Sequence, residues 1–513
     1  MEFIADWYGT GGKDSCAKLK LDVKVLLFPP RLHYQSKFVH ISVSISPRTL
    51  SMLHGVKPAR HHLASWTRCQ LARPRHRTLL TLAIETSCDD TCVAILSKQN
   101  GPRHSAEPQA RLLFNEKITV RNTGHGGIHP IEALDSHRTN LSKLVAQSLS
   151  CLPEACPAVP GDKRVWFHDG TVKQKPDLIA VTRGPGMRSN LSCGLDTAKG
   201  LATAWQIPMV GVHHMQAHAL TPRLAHALGE DDGTGKVRDQ QSLHEPMPQF
   251  PFLTLLISGG HTMLVHSKGL VDHSILATTR DTAIGDALDK CGRVILPEEI
   301  RQKTRDTAYG KYLSSYAFRD ANDFAAWPIP RRRGDETQKP VNQFGWQIQS
   351  PLAETRDLAF SFTGISSRAN SLMHERMVHQ GTAMSSEERI LLARTALGTA
   401  FEHLGSRTVM ALEKLRDEGI EIATLVASGG VAANDFLRYF LRQMLNARSF
   451  AHVKLVFPPV DLCTDNAAMI AWAGMEMFEA GYRTDLGCDA RRKWSMDPRG
   501  EDGGLLGGFM HPR

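Results

Sequence analysis

No apolar run in this chain approaches the roughly 18 to 20 residues that a helix needs to cross a bilayer. The longest candidates, such as Phe252 to Ile257, are the size of a strand, so the sequence predicts no membrane span. No Cys-x-x-Cys pair occurs among the ten cysteines, which argues against a zinc ribbon. A secreted disulfide framework does not suit so large a chain, and a reducing compartment fits best. Acids are missing between Asp22 and Glu85, where ten Lys and Arg lie. Those ten account for the net charge of +9, so the body that follows is close to neutral and the charge is no nucleic-acid signal for it.

The acid-free stretch is Arg-rich, carries hydroxyls and precedes the first strand, which is the composition of a mitochondrial transit peptide. Glu2, Asp6 and Asp14 fit such a peptide poorly and point to Met52 as an alternative start. A disordered basic arm is the plainer alternative.

A length of 513 residues with 42% apolar side chains suits two domains plus tails. The stretch that organises them is Gly211-Val212-His213-His214-Met215-Gln216-Ala217-His218, where the apolar run Ile207 to Val212 stops at three imidazoles. The run reads as a buried strand and the cluster as the first turns of a helix. Residues four apart share a helix face, so His214 and His218 can aim two nitrogens at one point while His213 points elsewhere. In a chain with 24 His the spacing also arises by chance, as at His125 and His129. Asp465, in Cys463-Thr464-Asp465-Asn466, adds a carboxylate where another strand-like run gives way to a helix. Two His and one Asp leave coordination positions open, as a working metal requires.

The other landmarks are turns at strand ends. Leu79 to Ile84 and Thr91 to Leu96 flank Glu85-Thr86-Ser87-Cys88-Asp89-Asp90, a β-hairpin whose tip carries hydroxyls, amides and acids. Leu178 to Val181 runs into Thr182-Arg183-Gly184-Pro185-Gly186 and a helix from Leu191 to Trp205, which suits an anion or is an ordinary tight turn. Ser258-Gly259-Gly260-His261 tips a second hairpin, and Ser428-Gly429-Gly430 ends a strand before Asn434 opens a helix. Such diglycines let backbone approach a ligand. Gly285 to Lys290 begins a helix with two acids, Asp286 and Asp289. Residues 296–350, with Arg331-Arg332-Arg333, lack periodicity and read as an insertion or extended loop. Cys151 to Lys175 reads as a loop.

Taken in order, IETSCDDT, GGIHP, GPG, VHHMQAH, SGGHT, GDALDKCGR, LAFSFTGI, SGGVAAN and LCTDNAAMIA make residues 79 to 497 resemble one family. It is the tRNA threonylcarbamoyladenosine-forming family, TsaD and its mitochondrial counterparts, once described as O-sialoglycoprotein endopeptidases. The resemblance implies an α/β fold of the actin/Hsp70/sugar-kinase (ASKHA) type, two ribonuclease-H-like lobes with a ligand cleft between them. The expected division is a leader at 1–77, an N-terminal lobe at 78–220, a C-terminal lobe at 221–497 with an inserted segment at 296–350, and a flexible tail at 498–513. Asp465 is expected to return to the cleft, with the last helix on the N-terminal lobe. The resemblance carries metal ligands onto His214, His218 and Asp465, and acyl-adenylate contacts onto Leu256, Ile257, Ser258, Gly259, Gly260, Asp289 and Asn434. The family's Pro-Gly-Gly type turn after the Asp289 helix is missing here, and Gly310 is assigned in its place.

The implied reaction moves a threonylcarbamoyl group from threonylcarbamoyl-AMP to N6 of the adenosine 3′ to the anticodon in tRNAs reading ANN codons, in the mitochondrial matrix. Attack by so weak an amine asks for a polarised acyl group and aligned partners. One divalent ion per subunit, Zn or Fe, would supply the first. Asp89 and Glu85, on the first hairpin's tip, are candidates for a proton acceptor or an orienting group. The implied partners are tRNA, a YrdC/Sua5-type synthase that makes the donor, and a second copy of the chain, to which Ile131, Leu141 or Leu152 could offer a symmetric contact. A metal-dependent endopeptidase is a rival, but Met215-Gln216-Ala217 places no acid between the histidines. An Hsp70/actin-like nucleotide-gated scaffold is another, and it leaves the metal triad without a purpose.

Overall fold

A computed structural model of the chain describes residues 78–99, 108–120, 129–155, 160–230, 246–304, 308–379, 384–507 and 510–512. The leader expected at 1–77 lies outside them, as does His125. By its contacts the chain divides into Met1–Arg75 and a compact unit His76–Arg513, and all that follows belongs to the second.

That unit contains the same sheet twice. Strands β1 (Thr78–Glu85), β2 (Asp90–Gln99) and β3 (Ala110–Thr119) form an antiparallel meander. After a small hairpin, β4 (Arg164–Trp166) and β5 (Val172–Gln174), come β6 (Leu178–Gly184) and β7 (Met209–His213). Both run parallel to β1, giving the order β3-β2-β1-β6-β7. The second sheet repeats this with β8 (Phe252–Ile257), β9 (Thr262–Ser267), β10 (His273–Thr278), β11 (Thr424–Ser428) and β12 (Lys454–Val456), in the order β10-β9-β8-β11-β12. Two copies of a mixed five-stranded sheet of this topology are the two lobes of the ASKHA fold.

Among the described residues nine longer helices cover the sheets: α1 (Pro130–Ser150), α2 (Arg188–Trp205), α3 (His214–Leu228), α4 (Ile284–Ile295), α5 (Tyr309–Ala317), α6 (Thr363–His379), α7 (Ser386–Asp417), α8 (Asp435–Ala447) and α9 (Ala467–Glu479). Strands β1 and β6 read as unbroken apolar runs because both faces are buried. Leu82, Ile84, Ile179 and Val181 pack on one side with Leu141 of α1 and Leu195 of α2. Ala83 and Ala180 point to the other, where Trp472 and Met469 of α9 lie. In the second lobe Leu253, Leu255 and Ile257 pack with Ile284, Phe401, Phe436 and Phe440.

Four segments differ from the sequence reading, the first being Cys151 to Lys175, read as a loop, which holds the short β4–β5 hairpin. The edge strand β3 was not expected, since its half-exposed, charge-bearing sequence hides the period. The region 296–350 is not an extended loop: it holds α5 and turns at Glu298–Arg301, Ala321–Ala325 and Arg333–Thr337. Elements this short leave no periodic trace, and buried carboxylates of α7 pin them. Trp346 Nε1 donates to Glu388 at 2.8 Å, Trp327 Nε1 to Glu402 at 3.0 Å, and Lys339 pairs with Glu402. Arg333, last of the Arg triplet, is structural, donating to the carbonyls of Leu352, Ala353 and Thr355. The presumed flexible tail is ordered where it is described. Leu505 is buried, and β14 (Met510–Pro512) pairs with β13 (Tyr482–Thr484). Of the three positions offered for a symmetric contact, Leu141 and Leu152 are buried within the lobe and only Ile131 is exposed, at 65%. Among the described residues no helix is long and apolar enough to cross a membrane.

Candidate metal centre and donor loops

Parallel strands end at the same edge of a sheet, so β1, β6 and β7 deliver Glu85, Thr182 and His213 to one place. His213 caps α3: its Nδ1 accepts from the backbone N–H of Met215 at 3.1 Å and of Gln216 at 3.4 Å. Its Nε2–H donates to the Trp494 carbonyl at 2.9 Å. Burial lowers its pKa to about 3, so this imidazole stays neutral and points away from its neighbour's partners.

His214 and His218 stand one turn apart, with rings 4.7 Å between centroids and nearly perpendicular. Asp465 Oδ1 lies 3.0 Å from His218 Nε2 and 3.6 Å from His214 Nε2. The three donor atoms lie within 4.8 Å of one another. Bonds of about 2.1 Å to one ion would place such donors roughly 3 to 3.5 Å apart, so a small closure suffices. Glu85, fully buried, settles which nitrogen is presented. His214 Nδ1 donates to Glu85 Oε2 at 3.3 Å, leaving Nε2 for the cluster, the usual way a carboxylate orients a metal-binding histidine. Glu85 is itself held by the Ser87 N–H at 2.5 Å and by the Thr182 hydroxyl. His218 Nδ1 has no such partner among the described residues.

The charges agree with the geometry. Burial raises the Glu85 and Asp465 carboxyls, but the neighbouring imidazoles outweigh it and both end below the usual range. Burial lowers His214, but Asp465 and Glu85 outweigh it and raise the ring to about 9. An environment that holds a proton so firmly would equally hold a cation in its place. The residues present therefore fit a divalent ion.

Around this cluster lie groups that sequence reasoning missed. Lys117, on β3, donates to Thr464 Oγ1 at 3.0 Å and to Asp90 at 3.3 Å, tying the edge strand to the Asp465 turn. It sits on the strand that sequence did not reveal. His261 follows the diglycine tip, and burial together with the charges of His214 and His218 lowers its pKa to about 4. Its place in the SGGHT motif was the only available signal. Asp89 is half-buried at the β1–β2 tip, its pKa raised by burial and by Asp90. The amides of the Gly184-Pro185-Gly186 turn do not await an anion: Gly186 N–H donates to Arg492 O and Met187 N–H to Ser87 O.

The expected donor contacts gather on the second lobe. The side chains of Leu256 and Ile257 are buried in separate cores, so they can offer only backbone. Gly259 and Gly260 are exposed, with open space where a side chain would stand. The start of α4 comes so close that a Cβ on Gly285 would lie 2.7 Å from Ser258 O. Further along α4, Asp289 accepts from the Gly310 N–H at 2.7 Å, so the glycine assigned in place of the missing turn sits against that acid. Asn434 caps α8 through Leu437 N–H.

Two ribonuclease-H-like lobes, with a His/His/Asp cluster that could hold a metal at the strand ends of one and glycine loops on the other, define a member of the ASKHA class. A family model for TsaD, tRNA N6-adenosine threonylcarbamoyltransferase, matches residues 112–232 and 238–472. The mitochondrial tRNA N6-adenosine threonylcarbamoyltransferase of Schizosaccharomyces pombe is 33% identical over 432 residues, 82% of this chain and 88% of that one. Its mitochondrial counterpart in Danio rerio is 30% identical over 429 residues, 82% and 87% of the two chains. The tRNA N6-adenosine threonylcarbamoyltransferase of Brucella anthropi is 30% identical over 424 residues, 82% and 95%. This chain belongs to the tRNA N6-adenosine threonylcarbamoyltransferase family.

Proposed function

We propose that the chain transfers threonylcarbamoyl from threonylcarbamoyl-AMP to N6 of the adenosine 3′ to the anticodon in tRNAs reading ANN codons, in the mitochondrial matrix. The observation that carries this reading is the convergence of His214, His218 and Asp465 at the strand ends of one lobe. The chain's similarity to mitochondrial relatives supports the compartment. In the reaction N6 bonds to the carbamoyl carbon, the bond from that carbon to the phosphate oxygen breaks, AMP leaves and N6 gives up one proton. A bound divalent ion, Zn or Fe and one per subunit, would polarise the acyl group.

The remaining work falls to protein groups. Backbone from Leu256 to Gly260, with Asp289, Gly310 and Asn434, holds the adenylate. Glu85 keeps His214 oriented; both its oxygens already accept hydrogen bonds, so it is poorly placed to take a proton or activate water. That also weakens the endopeptidase alternative. Asp89, more accessible and with a raised pKa, is assigned to accept the N6 proton. A YrdC/Sua5-type synthase supplies the donor, and the chain works as a homodimer in which exposed Ile131 is available for a symmetric contact. The test mixes residues 78–513 with such a synthase, threonine, bicarbonate, ATP and unmodified tRNA, and measures the modified nucleoside by mass spectrometry. Formation there supports the reading, whereas activity restored only by further subunits would defeat it.

A further inference from the structure

We propose that Trp494 is a positioning residue for the metal ligands, acting through His213, and that residues 488–505 form a strap tying the first turn of α3 to both lobes. The inference rests on the metal reading above and adds what holds its two histidines in place. On the first lobe the strap is bound along its length. Lys199 Nζ donates to Cys488 O at 2.5 Å, Arg183 Nε to Asp489 O at 3.0 Å, and Arg491 N–H to Arg183 O at 2.8 Å. It runs so close to the turn after β6 that a Cβ on Gly184 would collide with the Arg491 carbonyl.

The chain then reaches His213. The Trp494 carbonyl accepts from its Nε2, the indole packs 4.8 Å from its ring, and the guanidinium groups of Arg183 and Arg491 stack on that indole at 5.4 and 5.5 Å. The indole N–H is anchored in turn to Gly504 O at 2.8 Å. His213 is no bystander, because its other nitrogen caps the helix that carries His214 and His218. Moving it therefore rotates the turn from which both ligands project.

Past Trp494 the strap changes lobes. Asp497 accepts from the Ile275 N–H of β10 at 3.2 Å. Met496 and Leu505 are buried with Met215 and Ala219 of α3 and with Leu256 and Val265 of the second lobe. Met215 and Ala219 are each one residue beyond a metal ligand, so the strap supports the helix face beside the ligand face. Leu256 begins the stretch assigned to the adenylate. One segment thus touches the supports of both half-sites.

The test is a metal titration on residues 78–513 with Co²⁺, read by its visible absorption and by competition with a chelator. His213→Asn retains a capping oxygen but is too short to reach the Trp494 carbonyl, and Trp494→Ala removes the ring that seats it. Each should lose roughly tenfold or more in affinity, the cost usual for a group supporting a ligand, and alter the absorption band. Trp494→Phe, which keeps a ring and the carbonyl, should stay within about threefold. If the loss runs through one contact, the double variant His213→Asn/Trp494→Ala should be no weaker than the weaker single. Folding is checked by circular dichroism, and His213→Asn carries the test if Trp494→Ala does not fold. Unaltered protein that binds no metal would bring down the metal reading and this inference together. Normal affinity and spectrum in folded His213→Asn, or losses that simply add, would overturn this inference alone.

Discussion

Replacing Glu85 by Gln changes one atom, and the structure sets what that atom does. One carboxylate oxygen accepts from Ser87 N–H, the other from the Thr182 hydroxyl and from His214 Nδ1. An amide can satisfy only one side. If its oxygen faces His214, its NH₂ meets the Ser87 N–H and two buried donors confront each other. If its NH₂ faces His214, the imidazole must shift its proton to Nε2, the nitrogen that points at Asp465. Either arrangement leaves a buried group unsatisfied, at about 1 to 3 kcal/mol of stability. The second also blocks a ligand, and loss of such an orienting partner weakens metal binding roughly 10- to 100-fold, or about 1.4 to 2.7 kcal/mol. Chelator competition measures the affinity and urea unfolding the stability. The same variant separates orientation from proton transfer, because an orienting residue should recover most activity once metal is saturating. Metal affinity within twofold of the unaltered protein would refute the account of Glu85, as would activity that stays lost at saturating metal.

Three further outcomes follow from other parts of the molecule. Gly285→Ala drives a methyl into Ser258 O and should lower kcat/KM for the adenylate by roughly 10- to 100-fold with metal content unchanged; normal kinetics would mean the diglycine tip does not hold the donor. His273, buried with Ser267 Oγ and Leu270 O on its two nitrogens, has its pKa lowered from 6.5 to about 4 by burial. The unfolded chain therefore takes up this proton first, and the stability gained by keeping the ring neutral is present above pH 6.5 and lost as pH falls toward 4, by at most about 3 kcal/mol. His273→Gln should flatten that slope in urea titrations at pH 7, 5.5 and 4.5, and an unchanged slope would exonerate the residue. Residues 1 to 77 should carry a fluorescent reporter into mitochondria, and a reporter that stays cytosolic would contradict the leader reading.

Sequence announced elements wherever burial imposes a period or a run. The helix read from Leu191 to Trp205 is α2, Arg188–Trp205, and the strand-sized run Phe252 to Ile257 is β8. The pairing of His214 with His218 was legible because four residues return a helix to the same face. Its meeting with Asp465, 247 residues beyond His218, was not, since no local pattern encodes a contact closed by two sheets. There the family motifs did what periodicity could not. Lys117 was invisible because edge strands alternate weakly, and the 296–350 region because its order comes from Glu388 and Glu402 on another helix. The run after Asp497 looked frayed by composition, yet Leu505 anchors it in a core.

Helix α9, which leaves translation after every strand of both five-stranded sheets, fills one whole face of the first sheet, with Trp472, Met469 and Ile470 fully buried there. Until it arrives, an emerging or imported chain holds β1, β2 and β6 with an uncovered apolar surface, the kind of intermediate that chaperones guard. The same late segment brings Asp465, two residues ahead of the helix. His214 and His218 therefore wait, through some 250 residues of synthesis or translocation, for the third member of their set. Closing the first lobe and completing the candidate ion site fall within one short stretch of chain, so a chain cut short before Asp465 would lack both a sound core and the full ligand set. The order of assembly thereby works as a proofreading step, withholding chemistry from molecules that have not been finished.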